Sequence, residues 1–434
     1  MEPALRPGRF VRQGESFAFV KGLERLAGQI DPLVSSEPER AANLYEALLV
    51  GCYAKAEEVD DSGGSFGDFM QRLCCRWVLA RQSGSRPPEE TARILVRWID
   101  TDEFGYTSDL DDDIVGVLDE KGLAAFVRLS RARFEEASKE AGRRMGKIGR
   151  EASYRKWAGV LRACYQAQND AFSYIRLCKE TGARGKDCLA ISNMFEVHGD
   201  TRQALLWVQR GLQIELTSSR HDVSVYDLKD RERALLMVLG HPEEALARAW
   251  RDFEVRPHSF TYGELMRYVP DAERREWHER AMGRARRGDL TSSVELYLET
   301  RETERLIEHV TGVTEDALRE VRPKVLRKAA ERLQRDHAGV SARLYAALAM
   351  RIVGERNSKY YPLALSHLKK AKLCYEKAGL TPGWVALVEE VRSRHYRKSS
   401  FMPDFERILK NEPSSGDTAI RLRVKRRGMS RSAE

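Results

Sequence analysis

Two stretches of this sequence, MFEVHGDTRQALLWVQRGL at 194–212 and LLMVLGHPEEALARAWRDF at 235–253, share one pattern and decide the fold. In each stretch an apolar segment with helical spacing runs into a glycine, and an alanine follows five residues later. A less regular copy, RARRGDLTSSVELYLET, runs from 284 to 300. Glycine ends a helix readily because it adopts the left-handed conformation of the closing turn. Each stretch therefore predicts two antiparallel helices joined by a tight turn.

The same turn signal recurs through the second part of the chain, at intervals of about 30 to 48 residues. Its centres are Asn169-Asp170, Gly199-Asp200, Gly240-His241, Gly288-Asp289 and Asp336-His337. The hairpins are similar to tetratricopeptide repeats, and stacked repeats of this length build solenoids. The uneven intervals indicate a diverged array. The sequence therefore predicts an all-α fold, an irregular α-solenoid of antiparallel helical hairpins.

Helical spacing also covers the first part of the chain. Its apolar stripes are Phe17, Val20, Leu23, Ala27 and Ile30; then Ala41, Tyr45, Leu48, Leu49, Cys52 and Ala56; then Phe69, Leu73, Trp77 and Ala80. Residues spaced three or four apart lie on one face of a helix. These stripes predict an N-terminal array of about six helices over 1–150, and the hairpin solenoid over 151–410. Residues 411–434 have almost no helical pattern and predict a disordered basic tail.

The composition suits an array in which every helix keeps one face in water, with 42% hydrophobic and 32% charged residues. The net charge of +8, from 74 basic and 66 acidic residues, is small for 434 residues and does not by itself indicate nucleic-acid binding. The seven cysteines lack the regular spacing of a disulfide framework. The opening MEPALRPGRF lacks the apolar core of a signal peptide, and no stretch has the roughly 20 apolar residues of a membrane span. We therefore expect a cytoplasmic protein without membrane contact.

Several segments together carry a family resemblance: FVRQGESFAFVKGLERL at 10–26, DDSGGSFGDFM at 60–70, the repeat core at 185–255 and RSRHYRKSSFMPDF at 392–405. Over most of residues 10–409 the chain resembles an uncharacterised bacterial helical-repeat family, a domain of unknown function often found C-terminal to SWIM-type zinc fingers. The resemblance implies an all-helical solenoid and no established activity. A SWIM finger needs a Cys-x-Cys and a Cys-x-His pair, and this sequence has neither. Zinc or DNA binding through that finger is therefore not carried over to this sequence, and a separate upstream chain is one place where the finger could lie.

One motif matches the nucleophile turn of serine hydrolases. Ser65 is the central residue of Gly63-Gly64-Ser65-Phe66-Gly67, a G-x-S-x-G sequence. A hydrolase nucleophile requires a buried strand before this turn. The preceding LLVGCYAKAEEVDD has helical spacing instead and ends in acids, which favours a loop between helices.

Three ligand-binding patterns are also incomplete. In Gly142–Lys147 the two glycines are separated by three residues, and Ile148 follows the lysine. A phosphate-binding loop has four residues between its glycines and a Ser or Thr after the lysine. Asp109, Asp111, Asp113 and Glu120 have the spacing of calcium ligands, but Ile114 takes the place of the required glycine. The nine histidines form no zinc-ligand spacing. The sequence therefore predicts no enzyme activity, no cofactor, no metal and no small-molecule ligand.

Two basic segments predict an alternative, nucleic-acid-associated function. They are the run of Arg143, Arg144, Lys147, Arg150, Arg155 and Lys156, and the tail positions Arg421, Arg423, Lys425, Arg426 and Arg427. Tyr154 and Trp157 accompany the first, and basic residues beside aromatic ones can follow a single strand. A second cluster contains Arg392, Arg394, Arg397 and Lys398. The alternative interpretation is that these basic residues lie on ordinary helix faces exposed to solvent.

The main hypothesis from the sequence is a non-enzymatic helical-repeat scaffold for protein–protein interaction, with an unidentified protein partner. The inner helices of the hairpins would present side chains on a shared surface. Polar positions beyond the apolar stripe of each first helix are the predicted partner-binding residues: Asn193, Glu196, Arg231 and Arg284. Ordinary solvent exposure is the alternative for each of them.

Overall fold

The computed structural model describes residues 5–6, 8–106, 110–143, 148–217, 225–355 and 357–410, with the backbone alone at 110–112, 140–143 and 148–152. Within these ranges the regular secondary structure is helical, apart from an isolated bridge between Val11 and Val59. This confirms the predicted all-α fold class. The chain forms two compact units, Met1–Gly240 and His241–Glu434. The predicted tail, with Arg421, Arg423, Lys425, Arg426 and Arg427, lies outside the described residues.

The first unit contains α1 (Gln13–Ile30), α2 (Leu33–Ser36), α3 (Pro38–Lys55), α4 (Ser65–Ser83), α5 (Pro88–Thr101), α6 (Leu110–Val117), α7 (Glu120–Arg143), α8 (Ile148–Ala167), α9 (Ala171–Thr181), α10 (Gly185–Val197), α11 (Thr201–Thr217) and α12 (Val225–Val238). One hydrophobic core runs through it, from Val11 to Leu235. The predicted division at 150/151 falls at a position within α8 and stays a prediction, while the two compact units meet at Gly240.

The second unit contains α13 (Pro242–Val255), α14 (Ser259–Tyr268), α15 (Arg274–Ala285), α16 (Leu290–Thr300), α17 (Thr303–Thr311), α18 (Glu315–Glu320), α19 (Pro323–Leu333), α20 (Ala338–Gly354), α21 (Tyr361–Lys377), α22 (Thr381–His395) and α23 (Met402–Leu409). It has its own core, from Ala249 to Ile408. Small residues of α20, such as Ala342 and Ala349, are fully buried and let neighbouring helices approach closely.

The predicted stripes of the N-terminal helices form the core, with one exception. Phe17 of α1 is 75% exposed, and Ser16 is buried in its place. At about 100° per residue, position 16 lies nearer than position 17 to the line through Val20, Leu23 and Ala27. The Phe17 assignment was therefore wrong because hydrophobicity was given more weight than helical angle.

Every predicted turn lies between two helices. Gly199 and Gly240 have φ of 77° and 79°, the left-handed conformation expected of them, and Asn169 takes the same role with φ of 52°. Gly288 differs, because its φ is not positive. A Cβ atom there would lie 2.8 Å from Cγ of Pro257, so this glycine provides space for a neighbouring side chain.

Candidate partner-binding surface

Three of the four predicted partner-binding residues lie together in the first unit. Arg231 of α12 donates a hydrogen bond from Nη2 to Oδ1 of Asn193 at 3.0 Å and forms an ion pair with Glu196, both on α10. Asn193 is exposed, and the side chains of Arg231 and Glu196 are about one-third exposed. We call Asn193, Glu196 and Arg231 the first-helix cluster. The structure therefore brings the first helices of two successive hairpins onto one polar surface.

The packing of α11 against both α10 and α12 depends on a glycine in α11. A Cβ atom on Gly211 would lie 2.9 Å from Cβ of Cys188 on α10 and 3.1 Å from Cδ2 of Leu228 on α12. Cys188 and Leu228 are both fully buried. Ala204, small as predicted at the start of α11, is fully buried as well. Small residues of α11 thus let this helix pack closely against the two helices that carry the cluster.

A buried charge network fixes the start of α10. Asp187 is fully buried and accepts hydrogen bonds from Arg162 Nε at 2.8 Å, Tyr174 Oη at 3.0 Å and the backbone N–H of Arg184 at 2.9 Å. Burial, reinforced by the Asp187 charge, raises the pKa of Tyr174, so the phenol stays protonated. A buried carboxylate is tolerated when it is paired and hydrogen-bonded in this way. The network ties α8, α9 and α10 into one rigid support.

Arg284 lies in the second unit and makes a different kind of contact. Its guanidinium donates to the backbone carbonyl of Glu254, in the last turn of α13. The last carbonyls of a helix lack intrahelical donors, and a basic side chain satisfies them favourably. Arg284 therefore helps to cap a helix, and its role as a partner-binding residue stays a prediction.

The first unit also has an apolar surface that the sequence analysis missed. Phe172, Val197 and Val238 are 79%, 68% and 70% exposed. Each lies within three residues of a hairpin turn centre, at Asn169, Gly199 and Gly240. We call these three side chains the turn edge. One feature of the sequence could have indicated this surface: a valine lies two residues before the turn glycine in both MFEVHGD and LLMVLGHP.

The turns that carry this edge are neighbours in space. His198 Nε2 lies 2.8 Å from the backbone carbonyl of Asn169, which joins the first turn to the second. Leu239, beside the third turn, lines one open depression together with residues 198–202 of the second. Phe172 also packs edge-on against Phe195, with ring centroids 6.3 Å apart. Isolated exposed apolar residues are common, but a row along adjacent turns is typical of a contact surface.

The structure weakens the basic run as a stacking surface for nucleic acid. Lys156 Nζ donates to the backbone carbonyl of Ile99 at 2.8 Å, and Trp157 is buried with its Nε1 3.2 Å from Asp100. Tyr154 Oη donates to the carbonyl of Glu180 at 3.1 Å. Neither aromatic ring is therefore arranged to stack on an external base. Arg155 is exposed; the side chains of Arg143, Arg144, Lys147 and Arg150 lie outside the described residues.

The second basic cluster is largely paired within the chain. Arg392 forms a bidentate interaction with Glu406, at 2.9 and 2.7 Å, and Arg394 lies 2.8 Å from Glu390. Lys398 Nζ lies 3.2 Å from Tyr361 Oη. These pairs leave less free positive charge than the sequence suggested.

Ser65, the central residue of the hydrolase-like motif, begins α4. Its Oγ lies 3.4 Å from Oγ of Ser16. Asp61 accepts hydrogen bonds from the backbone N–H groups of Phe66 and Gly67, both at 2.8 Å, which is how an acid caps a helix start. The motif is thus a helix-start loop, as predicted. The phosphate-loop and calcium-loop patterns include residues outside those that the structure describes.

Several of the seven cysteines are kept protonated by burial. Burial raises the pKa of Cys52 and Cys178 to about 12, and of Cys75 and Cys188 to about 11. A thiol reacts as its thiolate, so these cysteines behave as small core residues. Across the described ranges, no cluster of three or more histidine, cysteine or acidic side chains is arranged to hold a metal. In the same ranges, no helix has the length and apolar character needed to cross a membrane.

Fold and surface together define an all-α helical-repeat protein. A model of a family of unknown function, DUF6880, matches residues 8–403, and the chain belongs to this family. No curated protein matches the sequence. A solved structure described as a "circular tandem repeat protein with novel repeat topology and enhanced subunit contact surfaces" is similar at 14% identity, over 91% of this chain and 90% of the other, with a TM-score of 0.16. A likeness of that size does not establish a common fold, so the fold assignment rests on the helices described above.

Proposed function

We propose that this chain is a non-enzymatic helical-repeat scaffold that binds another protein through the turn edge of its first unit. The observation that carries the proposal is the row of Phe172, Val197 and Val238, exposed along three adjacent turns. Exposed apolar side chains gain free energy when a partner removes them from water, at about 25 cal/mol per Å².

The first-helix cluster supports the same proposal as a polar neighbour of the turn edge. Glu196 and Val197 are consecutive residues, so the ion pair of Arg231 with Glu196 begins beside the exposed valine. An apolar contact area with a polar, partly exposed rim is the usual anatomy of a protein interface.

A combined variant tests the proposal directly. We expect Phe172→Ser, Val197→Ser and Val238→Ser together to reduce recovery of the native partner at least about tenfold, because central apolar contacts dominate binding energy. The measurement is quantitative co-purification of the tagged chain from native lysate treated with nuclease. Circular dichroism should be unchanged, since all three side chains are exposed.

The matched control is Leu216→Ser combined with Phe17→Ser. These side chains are 72% and 75% exposed, so the substitutions remove comparable apolar surface. Leu216 lies in α11, the helix that follows the Gly199 turn, but at 1.5 Å per residue it is about 22 Å along that helix from Thr201. Equal partner loss in both variants, or undiminished recovery with the turn-edge variant, would refute the proposed surface.

The alternative proposal is that the chain associates with nucleic acid, together with a separate SWIM-type zinc finger. Phosphate contacts would make the affinity fall steeply with salt, and removal of 411–434 would weaken binding without affecting thermal unfolding. This alternative would be favoured if nucleic acid co-purifies with the tagged chain from lysate and the co-purifying proteins are lost after nuclease treatment. A partner that survives nuclease favours the scaffold.

A further inference from the structure

The first unit contains a cavity of about 290 Å³ between α3, α4 and the C-terminal end of α5. Its walls are mostly apolar and aromatic, with the rings of Tyr53, Trp98 and Tyr106 among the lining side chains. The cavity is separate from the turn edge and the first-helix cluster, and the proposed scaffold function does not use it. Its size suits a small organic molecule.

The charge that lines the cavity is negative. Asp102 is the one charged residue among the described side chains that line the cavity, and no lysine or arginine accompanies it. Its Oδ1 accepts hydrogen bonds from the backbone N–H groups of Phe104 at 3.1 Å and Gly105 at 3.0 Å, which hold the carboxylate in place. Asp102 also follows the last residue of α5, where the helix dipole is negative. Both features favour a positive charge in the cavity.

Two cations do lie at the same helix end. Arg133 forms an ion pair with Asp100, and Lys156 Nζ donates to the carbonyl of Ile99, one turn before Asp102, but neither side chain lines the cavity. The carbonyl of Thr101 is already satisfied by Tyr53 Oη at 3.1 Å, and the same hydroxyl accepts the N–H of Glu103 at 2.8 Å. The phenol of Tyr53 is thus occupied by the backbone, which leaves its ring as the surface available to a ligand.

The aromatic walls reinforce this preference. Tyr53 and Tyr106 have ring centroids 6.5 Å apart, at an interplanar angle of 81°. Burial and the charges of Asp61 and Asp102 raise the pKa of Tyr106 to about 12, so this phenol is neutral and lies within the field of two carboxylates. Neutral aromatic faces attract cations, and aromatic enclosures are the usual sites for quaternary ammonium groups.

We propose that this cavity binds a small organic ammonium ion with an apolar body. The cationic group would lie beside Asp102 and the aromatic rings, and the apolar body would contact the remaining wall, which includes Met70. An anion would be repelled by Asp102, and a neutral molecule of the same shape would gain nothing from it. The sequence predicts no small-molecule ligand. This cavity has no local sequence pattern, because residues from three separate helices and the following turn form it.

Calorimetric titration of the full chain tests the proposal, with benzyltrimethylammonium as the probe. Neopentylbenzene has the same shape without the charge and serves as the neutral comparison. We expect the cation to bind more tightly by about tenfold, and Asp102→Asn to reduce that difference to the smaller part that the aromatic rings supply. The asparagine keeps an oxygen for the N–H groups of Phe104 and Gly105, so the turn should be preserved. Glu103→Gln, an adjacent acid outside the lining, should leave the affinities unchanged.

A second variant tests the location independently of charge. Ala54 lines the cavity and is exposed, so Ala54→Trp fills the space from outside without disturbing the core, and both probes should then fail to bind. The proposal is overturned if the wild type binds neither probe, if it binds both equally, or if the Asp102→Asn variant keeps the full preference for the cation.

Discussion

His367 of α21 is a histidine held inside the second unit. It is 5% exposed, stacks on Tyr345 with ring centroids 6.0 Å apart, and its Nδ1 has no hydrogen-bond partner among the residues that the structure describes. Burial, with the positive charges of Lys370 and Arg327, lowers its pKa to about 4, although Glu331 acts in the opposite direction. The neutral form is therefore the one that the fold accommodates.

The expected consequence is a loss of stability in acid. Because the folded pKa lies below the ordinary 6.5, the contribution of His367 is complete above pH 6.5 and is lost as the pH falls toward 4. Between pH 7 and 5 the loss should be about 2 kcal/mol. Urea unfolding of His367→Gln should lack that part of the pH dependence, and the other histidines remain in both proteins as an internal control. An identical pH dependence in the two proteins would contradict this assignment.

Helix packing in the first unit depends on Gly211 rather than on turn geometry. Gly211→Ala would add a methyl group 2.9 Å from Cys188 Cβ, which should destabilise the protein by about 1–2 kcal/mol despite the better helix propensity of alanine. Gly22→Ala in α1 is the matched control, because no atom lies within 4 Å of its added Cβ, and it should stabilise by about 0.5–1 kcal/mol. Equilibrium urea unfolding measures both. Equal stabilisation by the two substitutions would show that the packing around Gly211 is loose.

Helices and turns were predictable because their signals are local. Glycine before a polar residue marked Gly199 and Gly240, and apolar spacing marked the buried side of α3 and α4. The role of a residue was harder to predict where contact with a neighbouring element determines it. Gly288 faces Pro257 of the preceding hairpin, and that contact has no signature near position 288.

At the scale of the molecule, the candidate surfaces were only partly predictable. Asn193, Glu196 and Arg231 were identified as polar positions on first helices, but their mutual contact depends on how closely α11 packs against both helices. The turn edge requires three turns to be adjacent, and the cavity requires α3, α4 and α5 to meet. Such arrangements follow from packing across many residues, which sequence spacing does not encode directly.

Hydrogen–deuterium exchange of the chain with its co-purified partner shows whether the turn edge binds a protein. We expect slower exchange in the peptides that contain Phe172, Val197 and Val238, with little change in those that contain Phe17. Protection confined to other parts of the chain, with these three turns exchanging as fast as in the free protein, would contradict binding at the turn edge.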